Sequence, residues 1–284
     1  MFKDDVERDE PALQAAIRAA IGRDDLPIEI ITTGRWELGA LVADEFARGR
    51  VFLVGDAAHA LPPTRGGYGA NTGIQDAHNL AWKLAAVLRG DSSPALLETY
   101  DAERRPVAWR RHQQIFARPD YKAEGYGIAD DEPVLDDDAM EFGQLYRSTA
   151  VIGAGEGLPP ARRPDEWAGQ PGTRAPHAWI ERDGRRESTL ALFQRRWVLL
   201  ADDHAWTDAA AGVAERFGVE LACVRIGTDI TSADPAALRR AFGLETGGAS
   251  LVRPDGVVAW RALTLPARPR EALVEALARV SSAT

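Results

Sequence analysis

Apolar residues in the first third of the chain recur at spacings of three and four, the pattern of helices that bury one face. This pattern predicts a short helix over residues 10–22 and a long helix from Thr72 to Gly90. A third helix is predicted to open at Ser93-Pro94, because a serine can cap the first turn and proline fits its first position.

Shorter apolar runs predict strands. Residues Val51 to Val54 form such a run and end at Gly55, which predicts a buried strand followed by a sharp turn. Residues 27–32 are rich in β-branched side chains and alternate loosely, so a strand is predicted there as well.

Strand and helix patterns alternate again from about residue 176, with turns expected at Asp183-Gly184 and Asp255-Gly256. The predicted strands cover residues 177–180, 196–201, 219–226, 249–252 and 257–261, and the helices cover 206–217, 235–242 and 269–280. This order resembles thioredoxin. The single cysteine, Cys223, falls within a strand and no Cys-x-x-Cys is present, so no dithiol chemistry is expected.

Composition narrows the classes of partner and location. The 284 residues contain 34 Lys and Arg against 43 Asp and Glu, a net charge of −9. Because no basic stripe appears, nucleic acid is not an expected partner. No apolar run approaches the ~20 residues of a membrane helix, and the amino terminus has no signal-peptide pattern, so no membrane partner is expected. One cysteine forms no intrachain disulfide, which favours a cytoplasmic location.

The residues that could bind a ligand concentrate between the strand predicted at 51–54 and the helix predicted from Thr72. Asp56 places a carboxylate just beyond the carboxyl end of the strand, where open α/β sheets bind ligands. Glycines 66, 67 and 69 remove side chains from a loop that runs into a helix amino terminus, whose N–H groups favour an electron-rich partner. A carboxylate suits polyol hydroxyls, and bare backbone amides suit a flat heterocycle.

This segment resembles the second flavin-binding motif of the single-component FAD-dependent aromatic hydroxylases, the p-hydroxybenzoate-hydroxylase-like group. Within the group it is most similar to the hydroxylases of aromatic polyketide biosynthesis. The match comprises Gly-Asp-Ala-Ala-His at 55–59, Pro-Pro at 62–63, Gly-Gly-x-Gly-x-Asn at 66–71 and Gly-Ile-x-Asp-Ala-x-Asn-Leu-x-Trp-Lys-Leu at 73–84. So long an ordered match is not expected by chance.

The resemblance implies a cofactor and a reaction. In that family reduced FAD reacts with oxygen to give a C4a-hydroperoxide, which hydroxylates an electron-rich aromatic ring, and NADPH is the expected co-substrate. Because the cofactor carries the chemistry, no catalytic residue and no metal site are assigned. Asp56 should accept hydrogen bonds from the ribityl chain. The implied cofactor-binding residues are Gly55, Asp56, Pro63, Gly66, Gly67, Tyr68, Gly69, Ala70 and Asn71.

The implied fold class is α/β, with a partial FAD-binding and middle-domain segment of the p-hydroxybenzoate-hydroxylase-like fold followed by a thioredoxin-like domain. Family members begin with a Gly-x-Gly-x-x-Gly turn that binds the ADP half of FAD, and this chain shows none in a suitable context. It is therefore expected to be the carboxyl-terminal part of a hydroxylase. Its predicted parts are residues 1–118, the FAD-binding part, 119–175, a partly helical linker, and 176–284, the thioredoxin-like domain.

Three functions remain open from the sequence. The first is an FAD- and NADPH-dependent monooxygenase acting on a small aromatic, polyketide-type substrate. The second is an inactive remnant or a split subunit that needs a partner supplying the Rossmann half. The third is a thioredoxin-fold module with a vestigial flavin segment, which serves for binding or for forming a homodimer. His59 could serve as a base or metal ligand, but a structural hydrogen bond to the loop is favoured because no second ligand lies at metal spacing.

Overall fold

The computed structural model describes residues 8–34, 39–63, 67–119, 133–217 and 219–282, and the chain divides into two compact units, residues 1–38 and 39–284. The first unit contains helix α1, Glu10–Ile21. Asp9 caps it by accepting from the Ala12 N–H at 3.0 Å, and Gly22 ends it in the left-handed conformation, as predicted. The predicted strand at 27–32 does not form, and Ile31 is 91% exposed.

The second unit opens with two small antiparallel pairs of strands. They are β1, Leu41–Val42, paired with β4, His59–Ala60, and β2, Ala47–Arg48, paired with β3, Val51–Phe52. The strand predicted at 51–54 is therefore shorter than expected, and the expectation that it is buried is wrong at Val51, which is 64% exposed.

Two long helices follow: α2, Tyr68–Arg89, and α3, Ala95–Ala117. α2 begins four residues before the predicted start at Thr72 and ends at Gly90, as expected. Helix α3 continues through Pro106. Among the residues with described coordinates, no helix is both long and apolar enough to cross a membrane.

The last part of the chain is built on a four-stranded sheet. A separate hairpin comes first, β5, Trp179–Arg182, and β6, Arg185–Ser188. The sheet contains β7, Trp197–Ala201, β8, Leu221–Arg225, β9, Ala249–Val252, and β10, Val258–Ala262. The helices are α5, Ala205–Phe217, α6, Pro235–Ala241, and α7, Pro269–Ser281. Strand β6 was not predicted; the turn at Asp183-Gly184 joins β5 to it rather than to β7.

The strand order is β10-β9-β7-β8, with β7 and β8 parallel and the other neighbours antiparallel. Successive residues of β7 point to opposite faces. Leu199 packs with Trp206 of α5 and Leu277 of α7, whereas Leu200 packs on the other side with Leu238 of α6. This arrangement confirms the predicted thioredoxin-like domain.

Residues 133–175 contribute more to the core than a surface linker would. They contain α4, Asp137–Phe142, and buried side chains such as Met140 and Trp167. The N–H groups of residues 152 and 172 donate to β10 carbonyls at 2.8 Å, so this stretch covers the outer edge of β10. The boundaries at 118 and 175 stay predictions.

Candidate flavin site

The turn after β3 places Asp56 at the surface. Gly55 has a φ of 61°, in the left-handed region that favours glycine. Residues Gly55–Ala57 form one turn of 3₁₀ helix, closed by the Ala58 N–H donating to the Gly55 carbonyl at 2.8 Å. The Asp56 side chain is exposed. The turn therefore offers a solvent-facing carboxylate on a fixed backbone.

The N-cap position of helix α2 is a glycine, Gly67. Gly67 precedes it with a φ of 60°, and no side chain at that position bonds to the N–H groups of the first turn. A Cβ at Gly69 would lie 3.6 Å from the Leu61 carbonyl oxygen, so the helix start lies close to the preceding strand. Because α2 has 22 residues, its dipole and first N–H groups favour an electron-rich group at this end.

The side chains of Tyr68 and Asn71 form hydrogen bonds with residues of α4. Tyr68 is buried, and its hydroxyl donates to Asp137 at 3.1 Å. Burial and then this hydrogen bond raise the pKa of Tyr68 to about 12, so the hydroxyl stays protonated at neutral pH. The Asn71 side chain hydrogen-bonds to Glu141. Because both side chains have partners in α4, Tyr68 and Asn71 contribute to the start of α2 through their backbone rather than through their side chains.

The predicted cofactor-binding residues fall into two groups that the structure brings near each other. The turn supplies Gly55 and Asp56, and the cap and first turn of α2 supply Gly67, Tyr68, Gly69, Ala70 and Asn71. Pro63 is exposed, and Gly66 lies outside the described residues. Contact of these residues with a flavin stays a prediction.

The contacts of His59 are those of a buried structural residue. It is buried, and its Nε2 lies 2.8 Å from Asp76 Oδ2, so its partner is a helix carboxylate rather than the loop. Over the described ranges, no group of three or more His, Cys, Asp and Glu side chains could hold a metal ion. The structural interpretation of His59 therefore agrees with its contacts.

A buried charge cluster beneath α2 was missed by the sequence reasoning. Glu103 accepts from Arg253 at 2.6 and 2.9 Å and from Lys83 at 2.9 Å, and Arg253 also donates to Asp255 at 2.9 Å. These side chains are at most 3% exposed. Burial lowers the pKa of Lys83 to about 8 despite Glu103. The sequence signal that could have revealed this cluster is Lys83, a lysine at a position of α2 that faces the core.

Comparison with known proteins identifies two matching families and several related proteins. The FAD binding domain family matches residues 3–114, and the family described as aromatic-ring hydroxylase, C-terminal, matches residues 168–283. The tetracenomycin B2 monooxygenase-dioxygenase of Streptomyces olivaceus is 45% identical over 275 residues, which cover 94% of this chain and 49% of that protein. The 4-methyl-5-nitrocatechol 5-monooxygenase of a Burkholderia species is 42% identical over 272 residues, covering 93% and 50%.

A solved structure shares the fold. The ternary complex of aklavinone-11 hydroxylase with FAD and aklavinone superposes with a TM-score of 0.88 at 34% identity. The match covers 99% of this chain and 53% of that one. The chain thus spans about half the length of the relatives that it matches.

Proposed function

The chain belongs to the family of FAD-dependent aromatic-ring hydroxylases, and from that premise we propose that residues 51–89 contribute the ribityl and isoalloxazine side of an FAD site. One observation carries the proposal. The exposed Asp56 lies in a turn that packs on α2 close to the amino terminus of that helix, where the N-cap residue is Gly67. The protein that uses this site is an NAD(P)H- and oxygen-dependent monooxygenase.

The residues fit the two parts of the flavin by their chemistry. The Asp56 carboxylate accepts charge-assisted hydrogen bonds of the kind that ribityl hydroxyls donate. The N–H groups of residues 68–70 point along α2 toward its start and suit the carbonyl edge of the isoalloxazine. Bound FAD would supply the redox and oxygen chemistry, while the chain supplies position and electrostatics. The route of oxygen transfer implied by the resemblance stays a prediction.

We propose a small aromatic substrate, in particular one of polyketide type. The Streptomyces relative is named for tetracenomycin B2, the solved neighbour holds aklavinone and the Burkholderia relative is named for a nitrocatechol. An electron-rich aromatic ring is the feature common to these names. Because the chain spans about half of each relative, binding of the ADP half of FAD, by another segment or by a partner, belongs to the proposal and is not assigned to these residues.

Riboflavin, which lacks the ADP half, is the matched probe. Asp56→Ala should raise its dissociation constant about ten- to more than a hundredfold, because a hydrogen bond to a charged group is worth about 1.5–3 kcal/mol. Quenching of flavin fluorescence measures this constant. Asp208→Ala, an exposed aspartate on α5, is the control and should bind like the parent. A parent without saturable binding, or a folded Asp56→Ala variant with unchanged affinity, contradicts the proposal.

A further inference from the structure

The two parts of the proposed flavin site come from separate stretches of chain. One is the turn at Gly55–Ala57, and the other is the start of α2 at Tyr68. One flavin can contact both only if they are held within about 0.5 Å of the productive geometry. The contacts between the two parts therefore decide whether the site can work.

Two glycines bring the turn and the helix into direct backbone contact. A Cβ at Gly73 would lie only 3.0 Å from the Gly55 Cα, closer than side-chain carbons normally approach. A Cβ at Gly55 would lie 3.8 Å from the Gly73 Cα. The turn thus rests on the backbone of α2, at a distance that the absence of side chains permits.

Asp76 anchors the turn on both of its sides. It lies three residues after Gly73, on the same face of α2. Its Oδ2 accepts from the Gly55 N–H at 3.3 Å and lies 2.8 Å from Nε2 of His59. Gly55 and His59 flank Asp56 in the chain. The buried carboxylate of Asp76 therefore fixes the segment that presents the exposed carboxylate of Asp56.

Arg104 of α3 fixes Asp76 in turn. Its Nε donates to Asp76 Oδ1 at 2.7 Å, and its Nη2 donates to the Thr72 carbonyl at 3.2 Å. Its Nη1 donates to the Tyr146 hydroxyl at 2.6 Å. Burial would raise the pKa of Asp76, but the hydrogen bond from His59 and the charge of Arg104 outweigh it and lower the pKa. The carboxylate is therefore ionised and paired.

We propose that Asp76 and Arg104 are positioning residues of the flavin site, which hold Asp56 and the amino terminus of α2 at the separation that one flavin requires. The inference rests on the proposed function and extends it, because both side chains are fully buried and act through Gly55, His59 and the α2 backbone. Fixed support of this kind beneath a binding site is what sets its geometry.

Asp76→Asn tests the inference, because it keeps the shape of the side chain and removes its charge. Lys83→Met is the matched control, since it removes a fully buried charge from the same helix without touching the turn. Thermal unfolding, riboflavin affinity and amide hydrogen exchange of residues 53–60 are measured for both. Asp76→Asn should weaken riboflavin binding about tenfold more than Lys83→Met and should speed exchange in that segment.

Equal riboflavin affinities and equal exchange in the two variants would overturn the inference. If Asp76→Asn does not fold, Arg104→Lys decides, because it keeps a cation next to Asp76 while it removes the donors to the Thr72 carbonyl and the Tyr146 hydroxyl. Unchanged affinity and unchanged exchange in a folded Arg104→Lys variant count against the inference, and a loss similar to that expected for Asp76→Asn supports it. If the parent binds no riboflavin, the proposed function fails, and the exchange of residues 53–60 still decides the anchoring of the turn.

Discussion

Arg253→Met should destabilise the protein strongly, because it removes one of two cations from the buried cluster. Arg253 donates twice to Glu103 and lies 5.3 Å from the ring centre of Trp82. Without it, Glu103 and Asp255 face Lys83 alone, which leaves a net charge of −1 in the interior. Breaking a buried pair in this way costs about 3–5 kcal/mol, and methionine preserves the packing of the aliphatic stem.

Arg196→Met provides the matched comparison at the surface. Its partner, Glu220, lies 3.3 Å away, and the two side chains are 49% and 74% exposed, so the loss should be about 1 kcal/mol or less. Urea denaturation followed by circular dichroism gives both free energies of unfolding, provided that the slopes with denaturant agree. Equal losses in the two variants would refute the expectation that Arg253 compensates a buried negative charge.

Two further predictions concern titratable groups. Burial would raise the pKa of Glu103, but the charges of Arg253 and Lys83 lower it below the usual 4.5, so its stabilising contribution is present above pH 4.5 and is lost as the pH falls. The free energy of unfolding in urea should fall less steeply between pH 7 and pH 3 in Glu103→Gln than in the parent. An unchanged dependence of this free energy on pH would count against the prediction. Burial raises the pKa of the Cys223 thiol, so disulfide reagents should react slowly with it at pH 7.5. Cys223→Ser should keep the riboflavin affinity of the parent. A fast reaction, or a loss of affinity in the folded variant, would contradict the prediction that this thiol is inert.

Local signals accounted for the elements that were predicted well. Gly22 and Gly90 end helices in left-handed conformations, and the Asp255-Gly256 turn joins β9 to β10. Each of these signals acts within a few residues, so periodicity and turn chemistry suffice to find it. The flavin motif was recognisable for a related reason, because its residues are contiguous over 55–84.

Features that depend on distant partners escaped prediction. Strand β3 is short and half-exposed, and its burial depends on segments outside the hairpin, which its own residues do not reveal. The stretch from 133 to 175 has no periodicity, and its hydrogen bonds to β10 join residues that are far apart in the chain. The contact between Asp76 and Arg104 joins residues 28 positions apart, which spacing along one helix cannot reveal.

The separation of Arg253 and Glu103 also has a consequence for how the protein is made. The two residues are 150 positions apart, and ribosomes add about 5–20 residues per second, so about 8–30 s pass between their synthesis. During that interval Glu103 has only Lys83, 20 positions earlier, as a cationic partner from the cluster. The helical hairpin of α2 and α3 therefore reaches its final electrostatic balance only after the β9–β10 turn has been synthesised.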